Sequence, residues 1–145
     1  MITITGTSGN DSLVGTVGDD SIDALDGQDF LYAGPGQDTL SGGPGADTLR
    51  GGEGNDTLFT RGDGDVLYGG DGDDHLSLQD NGGGVIFNGA ATIYGGAGND
   101  NIGGYVFNGT VVDGGPGDDT IGFMTSGHKV LLGPGSGHDT IDNFG

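Results

Sequence analysis

Residues 42–59 read GGPGADTLRGGEGNDTLF, two nine-residue units in which Gly, Asp and Leu recur at the same places. Outward from this stretch, such units continue without a break from Gly6 to Ser77, eight in all. Asp stands at the sixth place of every unit and Leu or Ile at the eighth. A fixed period outweighs local propensity, because repeated units stack and bury one continuous core. The period therefore predicts a solenoid.

Each unit reads as six turn residues followed by a three-residue strand. Side chains alternate faces along a strand, so only the eighth-place Leu or Ile points inward. Two units then form one coil of about eighteen residues, and the predicted fold is an all-β, right-handed parallel β-roll. Units two apart in sequence become neighbours in space. One edge is expected to carry Asp11, Asp29, Asp47 and Asp65, and the other Asp20, Asp38, Asp56 and Asp74.

The second half of the chain is less regular. Three further units begin at Gly95, Gly114 and Pro134, about twenty residues apart, with Asp100, Asp119 and Asp139 at the sixth place. Each is coupled to a turn that lacks the Asp, with Ala91, Thr110 and Val130 near the place where the Asp, a candidate metal ligand, stands in the other units. One edge is thus expected to keep metal and the other to lose it. We expect a single continuous solenoid with a lead-in strand at 1–5, regular repeats at 6–77 and irregular repeats at 78–145.

Composition argues against an ordinary globular domain. Gly supplies 37 of 145 residues, only 31% of residues are hydrophobic, and Cys and Trp are absent. Such a chain has few large side chains to offset the entropy of ordering its glycines. The formal charge of −19 makes a compact state repel itself and excludes a nucleic-acid partner. No stretch approaches the length of a membrane span. Either the chain is disordered, or cations are part of its folded structure.

The units match the pattern G-G-x-G-x-D-x-U-x, where U is a large aliphatic residue, and the chain resembles the RTX (repeats-in-toxin) calcium-binding nonapeptide family. The resemblance covers nearly the whole chain. It implies a non-catalytic calcium module that stays unfolded during type I export and folds in the extracellular medium. Several turns depart from the pattern and are expected to bind more weakly: those with Thr7, Thr16, Ala24-Leu25, Thr60-Arg61 and Asp63.

The repeated aspartates are the candidate metal ligands. Stacked carboxylates repel one another, and a hard cation that takes six to eight oxygens relieves this better than Mg²⁺, which prefers a smaller octahedron. Same-edge neighbours suggest about eight Ca²⁺. An Asx-turn, in which the carboxylate caps its own backbone, is the alternative. The turn carbonyls expected to assist are those of Gly34, Gly36, Gly43, Gly45, Gly52, Gly54, Gly70, Gly72, Gly96, Gly98, Gly115 and Gly117.

Two sets of aromatic and apolar residues are candidate surfaces for binding a partner. Tyr32, Arg50 and Tyr68 occupy the outward ninth place of alternate units and are expected to stack on one face, either as a stiffening ladder or as a platform for carbohydrate or protein. Apolar residues also increase in the second half, where they either pack a metal-free edge or form a docking surface. These are Val85, Ile86, Phe87, Tyr94, Tyr105, Val106, Phe107, Phe123 and Met124.

Catalysis finds little support in the residues. The histidines His75, His128 and His138 do not have the spacing of a zinc site, and paired acids such as Asp118/Asp119 occupy repeat positions. We expect a monomer that is not an enzyme. The alternatives are an adhesin or carbohydrate-binding module, an ice binder, which would require a more regular Thr/Asn array, and the C-terminal fragment of a secreted protease, lipase or epimerase. The final residues show no recognisable secretion tail, which favours an excised domain.

Overall fold

The computed structural model describes residues 1–62, 64–78, 90–104, 109–123, 129–132 and 137–143. Within these ranges the chain forms short β-strands and no helix. The strands are β1 (Thr3–Thr5), β2 (Ser12–Val14), β3 (Ser21–Asp23), β4 (Phe30–Pro35), β5 (Thr39–Ser41), β6 (Thr48–Glu53), β7 (Thr57–Thr60), β8 (Val66–Asp71), β9 (His75–Leu78), β10 (Thr92–Ala97), β11 (Asn101–Gly104), β12 (Val111–Asp113), β13 (Thr120–Phe123), β14 (Lys129–Leu131) and β15 (Thr140–Asn143).

Each strand pairs in parallel with the strands two places before and after it. The odd-numbered strands therefore form one sheet, in the order β1-β3-β5-β7-β9-β11-β13-β15, and the even-numbered strands form the other, in the order β14-β12-β10-β8-β6-β4-β2. Ile4 pairs with Ile22 and Ile22 with Leu40, a step of eighteen residues. The predicted all-β parallel β-roll is confirmed.

The regular step is interrupted once. His75 pairs with Asn101 and Val66 with Thr92, so one coil is 26 residues long. Later coils take 19 and 20 residues. The additional residues of the long coil fall between β9 and β10, where 79–89 lie outside the described residues. The register break that the sequence predicts after Ser77 is thus accommodated without interrupting either sheet.

The core is a double file of aliphatic side chains between the two sheets. Each lies at the centre of its strand, and each is at most 1% exposed: Ile22, Leu31, Leu40, Leu49, Leu58, Leu67, Leu76, Ile93, Ile102, Val112 and Ile121. Ile4 and Leu13 are only partly buried, because they lie in the first coil and have a neighbour on one side only. The core is one side chain deep on each sheet, so the turns at the edges lie close to it.

No helix in the described ranges has the length and apolarity to cross a membrane.

Candidate metal centre

The sixth-place aspartates form two ladders along the edges of the roll. Each Asp lies in the turn just before a strand. From the second coil onward, its Oδ1 accepts a hydrogen bond from the backbone N–H of the Asp one coil earlier, at 2.7–3.1 Å. The short ladder comprises Asp11, Asp29, Asp47 and Asp65. The long ladder comprises Asp20, Asp38, Asp56, Asp74, Asp100, Asp119 and Asp139. Because Oδ1 accepts from the adjacent coil, it does not cap its own turn as in an Asx-turn.

The second oxygen of these carboxylates has no protein partner at most positions. Six Oδ2 atoms are buried without a hydrogen bond, those of Asp29, Asp38, Asp56, Asp74, Asp100 and Asp119. A buried carboxylate is strongly destabilised unless it is paired or binds a metal. These oxygens therefore need a cation or a proton.

In two turns that depart from the repeat pattern, Oδ2 of the Asp is hydrogen-bonded within its own turn. Oδ2 of Asp20 accepts hydrogen bonds from the amide of Thr16 at 2.6 Å and from its hydroxyl at 2.8 Å. Thr7 makes the same two bonds to Asp11. These turns are the ones in which Thr replaces the second Gly, and their carboxylates are already hydrogen-bonded. The structure thus gives a physical reason to expect weaker metal binding there.

The first-place carbonyl of the next coil converges on the same space as Oδ2. A Cβ atom added to Gly6 would lie 2.7 Å from Oδ2 of Asp11 and 2.6 Å from the carbonyl oxygen of Ala24. At Gly51, the added atom would meet Oδ2 of Asp56 and the carbonyl of Gly69 in the same way. The repeat pattern predicts second- and fourth-place carbonyls and does not point to this one. The first place is Gly or Ala in most units, which allows the close approach but does not by itself identify the carbonyl.

The named second- and fourth-place glycines have a separate requirement. All twelve adopt φ between 90° and 152°, the region that L side chains disfavour. They also lie directly beneath the neighbouring coil; an added Cβ at Gly52 would collide with the carbonyl of Gly34. Leu25 adopts the same type of backbone, with φ of 74°, without being glycine.

Burial shapes the electrostatics of the ladders. It raises the pKa of Asp56, Asp65 and Asp100 to about 6. For Asp74, burial together with the nearby carboxylates raises the pKa to about 7. Burial would also raise the pKa of Asp20, but hydrogen bonds from Thr16 and from the amide of Ile2 outweigh it and lower the value. The middle of the long ladder is therefore where negative charge is least tolerated without a cation.

The donor set fits a hard cation bound by few side chains. In the described part of the chain, no group of three or more His, Cys, Asp or Glu side chains comes together as a metal cage. Each turn instead offers a carboxylate oxygen and nearby backbone carbonyls. All-oxygen sites of carboxylates and carbonyls suit Ca²⁺. The residues present thus fit Ca²⁺ and not a thiolate or imidazole metal.

The acid beside each ladder residue has a different role. Oδ1 of Asp73 accepts from the amide of Asn99, and Oδ1 of Asp118 accepts from the amide of His138, both one coil later. Asp19 does the same for the amide of Gln37. These fifth-place side chains are exposed and form an outer ladder that joins neighbouring turns. Paired acids such as Asp118/Asp119 thus separate into an exposed acceptor and a buried carboxylate, rather than forming an acid/base pair.

The two edges differ in the second half of the roll. The strand registers place Ala91 and Thr110 on the short-ladder edge, where Asp65 precedes them, and both are buried. Val130 was expected near this ligand place, but it pairs with Val112 and so lies at the inward aliphatic position. This expectation was wrong because β14 pairs with β12 at a step of 18 residues, whereas the step from Asp119 to Asp139 on the other edge is 20. The residue that does precede β14 is His128, outside the described residues.

The predicted aromatic column is present on the outer face of the even-numbered sheet. Tyr32 pairs with Arg50 and Arg50 with Tyr68. Arg50 thus lies between the two tyrosines, as predicted, and its guanidinium carbon is 4.8 Å from the ring centroid of Tyr68 and 5.8 Å from that of Phe30. Tyr94, on the far side of the long coil, stacks on Tyr68 at 5.0 Å. Phe30, Tyr32 and Tyr94 nevertheless remain exposed to solvent.

Of the apolar residues noted in the second half, Phe123 is buried against the core and Tyr94 is partly exposed. Val85, Ile86, Phe87, Tyr105, Val106, Phe107 and Met124 lie outside the described residues, as do Asp63 and His128.

Two parallel sheets joined by carboxylate-bearing turns define a β-solenoid of the repeat-protein class. Residues 5–40, 41–76 and 88–111, more than half of the chain, match the family model of the RTX calcium-binding nonapeptide repeat. The chain belongs to this family, and Ca²⁺ is the ion that its repeats bind. Its repeats form a structural calcium-binding module. No curated protein and no solved structure matches the chain.

Proposed function

We propose that Ca²⁺ bound along the two Asp ladders drives folding of this chain, and that the chain is a folding and stability module of an extracellular protein. The observation that carries the proposal is the set of six buried Oδ2 atoms without a protein partner. The ligands would be the aspartates of the short and long ladders together with the turn carbonyls. When bound, Ca²⁺ supplies the positive charge that this arrangement lacks.

The free energy of folding depends on the balance between the burial of the core and the repulsion between acidic side chains. The aliphatic core is thin, whereas the formal charge is −19 with only three Lys and Arg residues. Bringing the ladder carboxylates together therefore opposes folding until their charge is neutralised. The unfolded chain does not hold Asp and carbonyl oxygens one coil apart, so metal-binding free energy becomes folding free energy.

The proposed number of ions is nine, one for each step between ladder neighbours. The short ladder has three steps and the long ladder six, each defined by a hydrogen bond from one Asp to the next. The sequence alone predicts about eight, because it does not pair Asp74 with Asp100 across the long coil. Nine divalent ions carry almost the charge needed to balance −19. The first steps, at Asp11 and Asp20, would be the weakest.

The proposed location is extracellular, with type I secretion as the route. Several coupled sites make folding a steep function of Ca²⁺ concentration, because ligand that binds only the folded state stabilises it by mass action. A chain of this kind remains extended where free Ca²⁺ is scarce and folds where it is abundant. That behaviour suits export in an unfolded form, followed by folding outside the cell. A parent protein with an enzymatic or adhesive domain is compatible with this role.

The test is a calcium titration of the chain followed by far-ultraviolet circular dichroism. In calcium-free buffer we expect the spectrum of a disordered chain, and on addition of Ca²⁺ a cooperative rise of β signal. Isothermal titration calorimetry is expected to count about nine ions, and Mg²⁺ at the same concentration is expected to leave the spectrum unchanged. A chain that is fully folded at neutral pH in chelator would contradict the proposal.

A further inference from the structure

The outer face of the odd-numbered sheet carries a groove that the calcium ladders do not use. It has a volume of about 420 Å³, within the range of small-ligand sites. Parallel pairing brings Asp23 beside Ser41 and Ser41 beside Phe59. The groove thus spans three coils, about 10 Å along the stack. It is built by regular strands, which hold its lining side chains in a fixed order.

Two departures from the repeat create the groove. At the second place of three stacked turns, the residues are Leu25, Gly43 and Arg61, where the pattern has Gly throughout. The amide of Arg61 donates to the carbonyl of Gly43 at 3.1 Å, which fixes the two turns as neighbours. Gly43 has no side chain, so it leaves a depression between two large ones. A fully regular repeat would have no walls here.

The lining has three kinds of chemistry side by side. Asp23 and Asp26 supply carboxylates, and Arg61 supplies a guanidinium at the other end. Leu25 and Phe59 supply an apolar wall. In the described ranges no ion pair joins either carboxylate to Arg61. Their hydrogen-bonding capacity is therefore available to a ligand.

This arrangement differs from the aromatic column on the opposite sheet. There, Arg50 lies over Tyr68 and Tyr68 stacks on Tyr94, so the rings and the cation contact one another. In the groove, the aromatic ring of Phe59 and the charged groups face a common open space. The column is a packed surface, whereas the groove is a concave one with unpaired polar groups.

We propose that the groove bounded by Leu25, Phe59 and Arg61 binds a neutral saccharide. Carboxylates accept hydrogen bonds from sugar hydroxyls and a guanidinium donates to them. The ring of Phe59 and the side chain of Leu25 cover the apolar face of a sugar ring. Two carboxylates in the groove oppose an anionic ligand, and Arg61 opposes a cationic one. A neutral polyol avoids both kinds of charge repulsion.

The experiment is an array of immobilised neutral and acidic oligosaccharides, probed with the full chain in saturating Ca²⁺. Asp23→Asn removes a carboxylate and Arg61→Gln removes the guanidinium, and both residues are exposed. Glu53→Gln, an exposed residue outside the groove, is the control whose charge change matches that of Asp23→Asn. We expect binding to at least one neutral glycan, weakened at least tenfold by either groove variant and unchanged in Glu53→Gln.

Three results would overturn the proposal. They are no neutral glycan bound by the parent chain, binding of acidic glycans only, and groove variants that bind as the parent does. The circular dichroism titration distinguishes this failure from failure of the calcium proposal, because it reports folding with no sugar present. Both groove variants are expected to keep the calcium midpoint of the parent chain.

Discussion

The backbone N–H of Asp74 donates a 2.9 Å hydrogen bond to Oδ1 of Asp100, which is 26 residues further along the chain. The equivalent bonds in the regular half join residues 18 apart. The geometry of the ladder step is therefore the same across the long coil as within the regular repeats. As a result, the long ladder runs from one end of the roll to the other, and Asp74 is in its middle.

Replacement of Asp74 by Asn is expected to reduce calcium stoichiometry by two ions and to raise the calcium midpoint of folding. Asp74 participates in two steps, with Asp56 and with Asp100, and an amide is a weaker calcium ligand than a carboxylate. Calorimetric titration measures the stoichiometry. Asp73→Asn is the matched control, since it also removes one negative charge, from the exposed residue immediately before Asp74. Equal stoichiometry in the two variants would contradict the ladder assignment.

Replacement of Gly51 by Ala is expected to destabilise the calcium-loaded chain by roughly 1–3 kcal/mol, the usual range for overpacking. The added Cβ would meet Oδ2 of Asp56 and lie 2.6 Å from the carbonyl of Gly69, two oxygens of one proposed site. Urea unfolding in saturating Ca²⁺ measures the change.

Gly18→Ala is the control for this substitution, because an added Cβ there meets no atom within 4 Å. We expect Gly18→Ala to be neutral or slightly stabilising, by up to about 1 kcal/mol. A similar loss of stability in the two variants would mean that the effect comes from replacing a backbone glycine in general and not from the proposed site.

Without calcium, acid is expected to favour the folded chain. Burial raises the pKa of Asp56 and Asp100 to about 6 and, together with nearby carboxylates, that of Asp74 to about 7, from an ordinary value of 3.8. A raised folded-state pKa means that the proton binds the folded state more tightly. The resulting stabilisation is fully present below about pH 4 and is lost as pH rises through 6 to 7.

Circular dichroism in calcium-stripped buffer is expected to show a gain of β signal on acidification from pH 7 to pH 4. Protons and Ca²⁺ compete for the same oxygens, so the apparent calcium affinity measured by calorimetry is expected to fall as pH falls. A calcium affinity that is unchanged between pH 7 and pH 5 would argue that these carboxylates are not the ligands.

Replacement of Tyr68 by Ala is expected to raise the calcium midpoint, whereas Tyr32→Ala has a smaller effect. Tyr68 loses both its stacking on Tyr94 and its contact with Arg50, worth about 1–2 kcal/mol together. Circular dichroism titration compares the two variants. Loss of a bound ligand with unchanged midpoints in both would instead support the platform interpretation of this face.

The contribution of Tyr94 to the aromatic column shows where sequence reasoning stopped. Tyr68 and Tyr94 each precede a Gly pair and occupy the same place in their units, so the local motif already marks them as equivalent. Their separation of 26 residues departs from the coil period, however, and no local rule states that an extended coil returns to register. For the same reason, the sequence alone does not pair Asp74 with Asp100.

The groove at Gly43 shows a second limit. The sequence marks Leu25 and Arg61 as departures from the repeat, and it predicts that their turns bind metal more weakly. Their arrangement around a common depression depends on which turns are stacked and on which side chains are large. This is a property of three coils taken together and is absent from any single unit.

The sequence by itself determined the parallel β-roll, the inward aliphatic position and the alternation of Asp between the two edges. These follow from a strict period of nine, because identical short units can bury their apolar residues only by stacking. Tertiary structure alone decided that the roll continues in register through the long coil, that first-place carbonyls approach Oδ2, and that Leu25 and Arg61 enclose a groove. The physical reason is that these features depend on contacts between coils. The path of the backbone sets the spacing of the coils, and the linear repeat does not specify which residues of different coils come into contact.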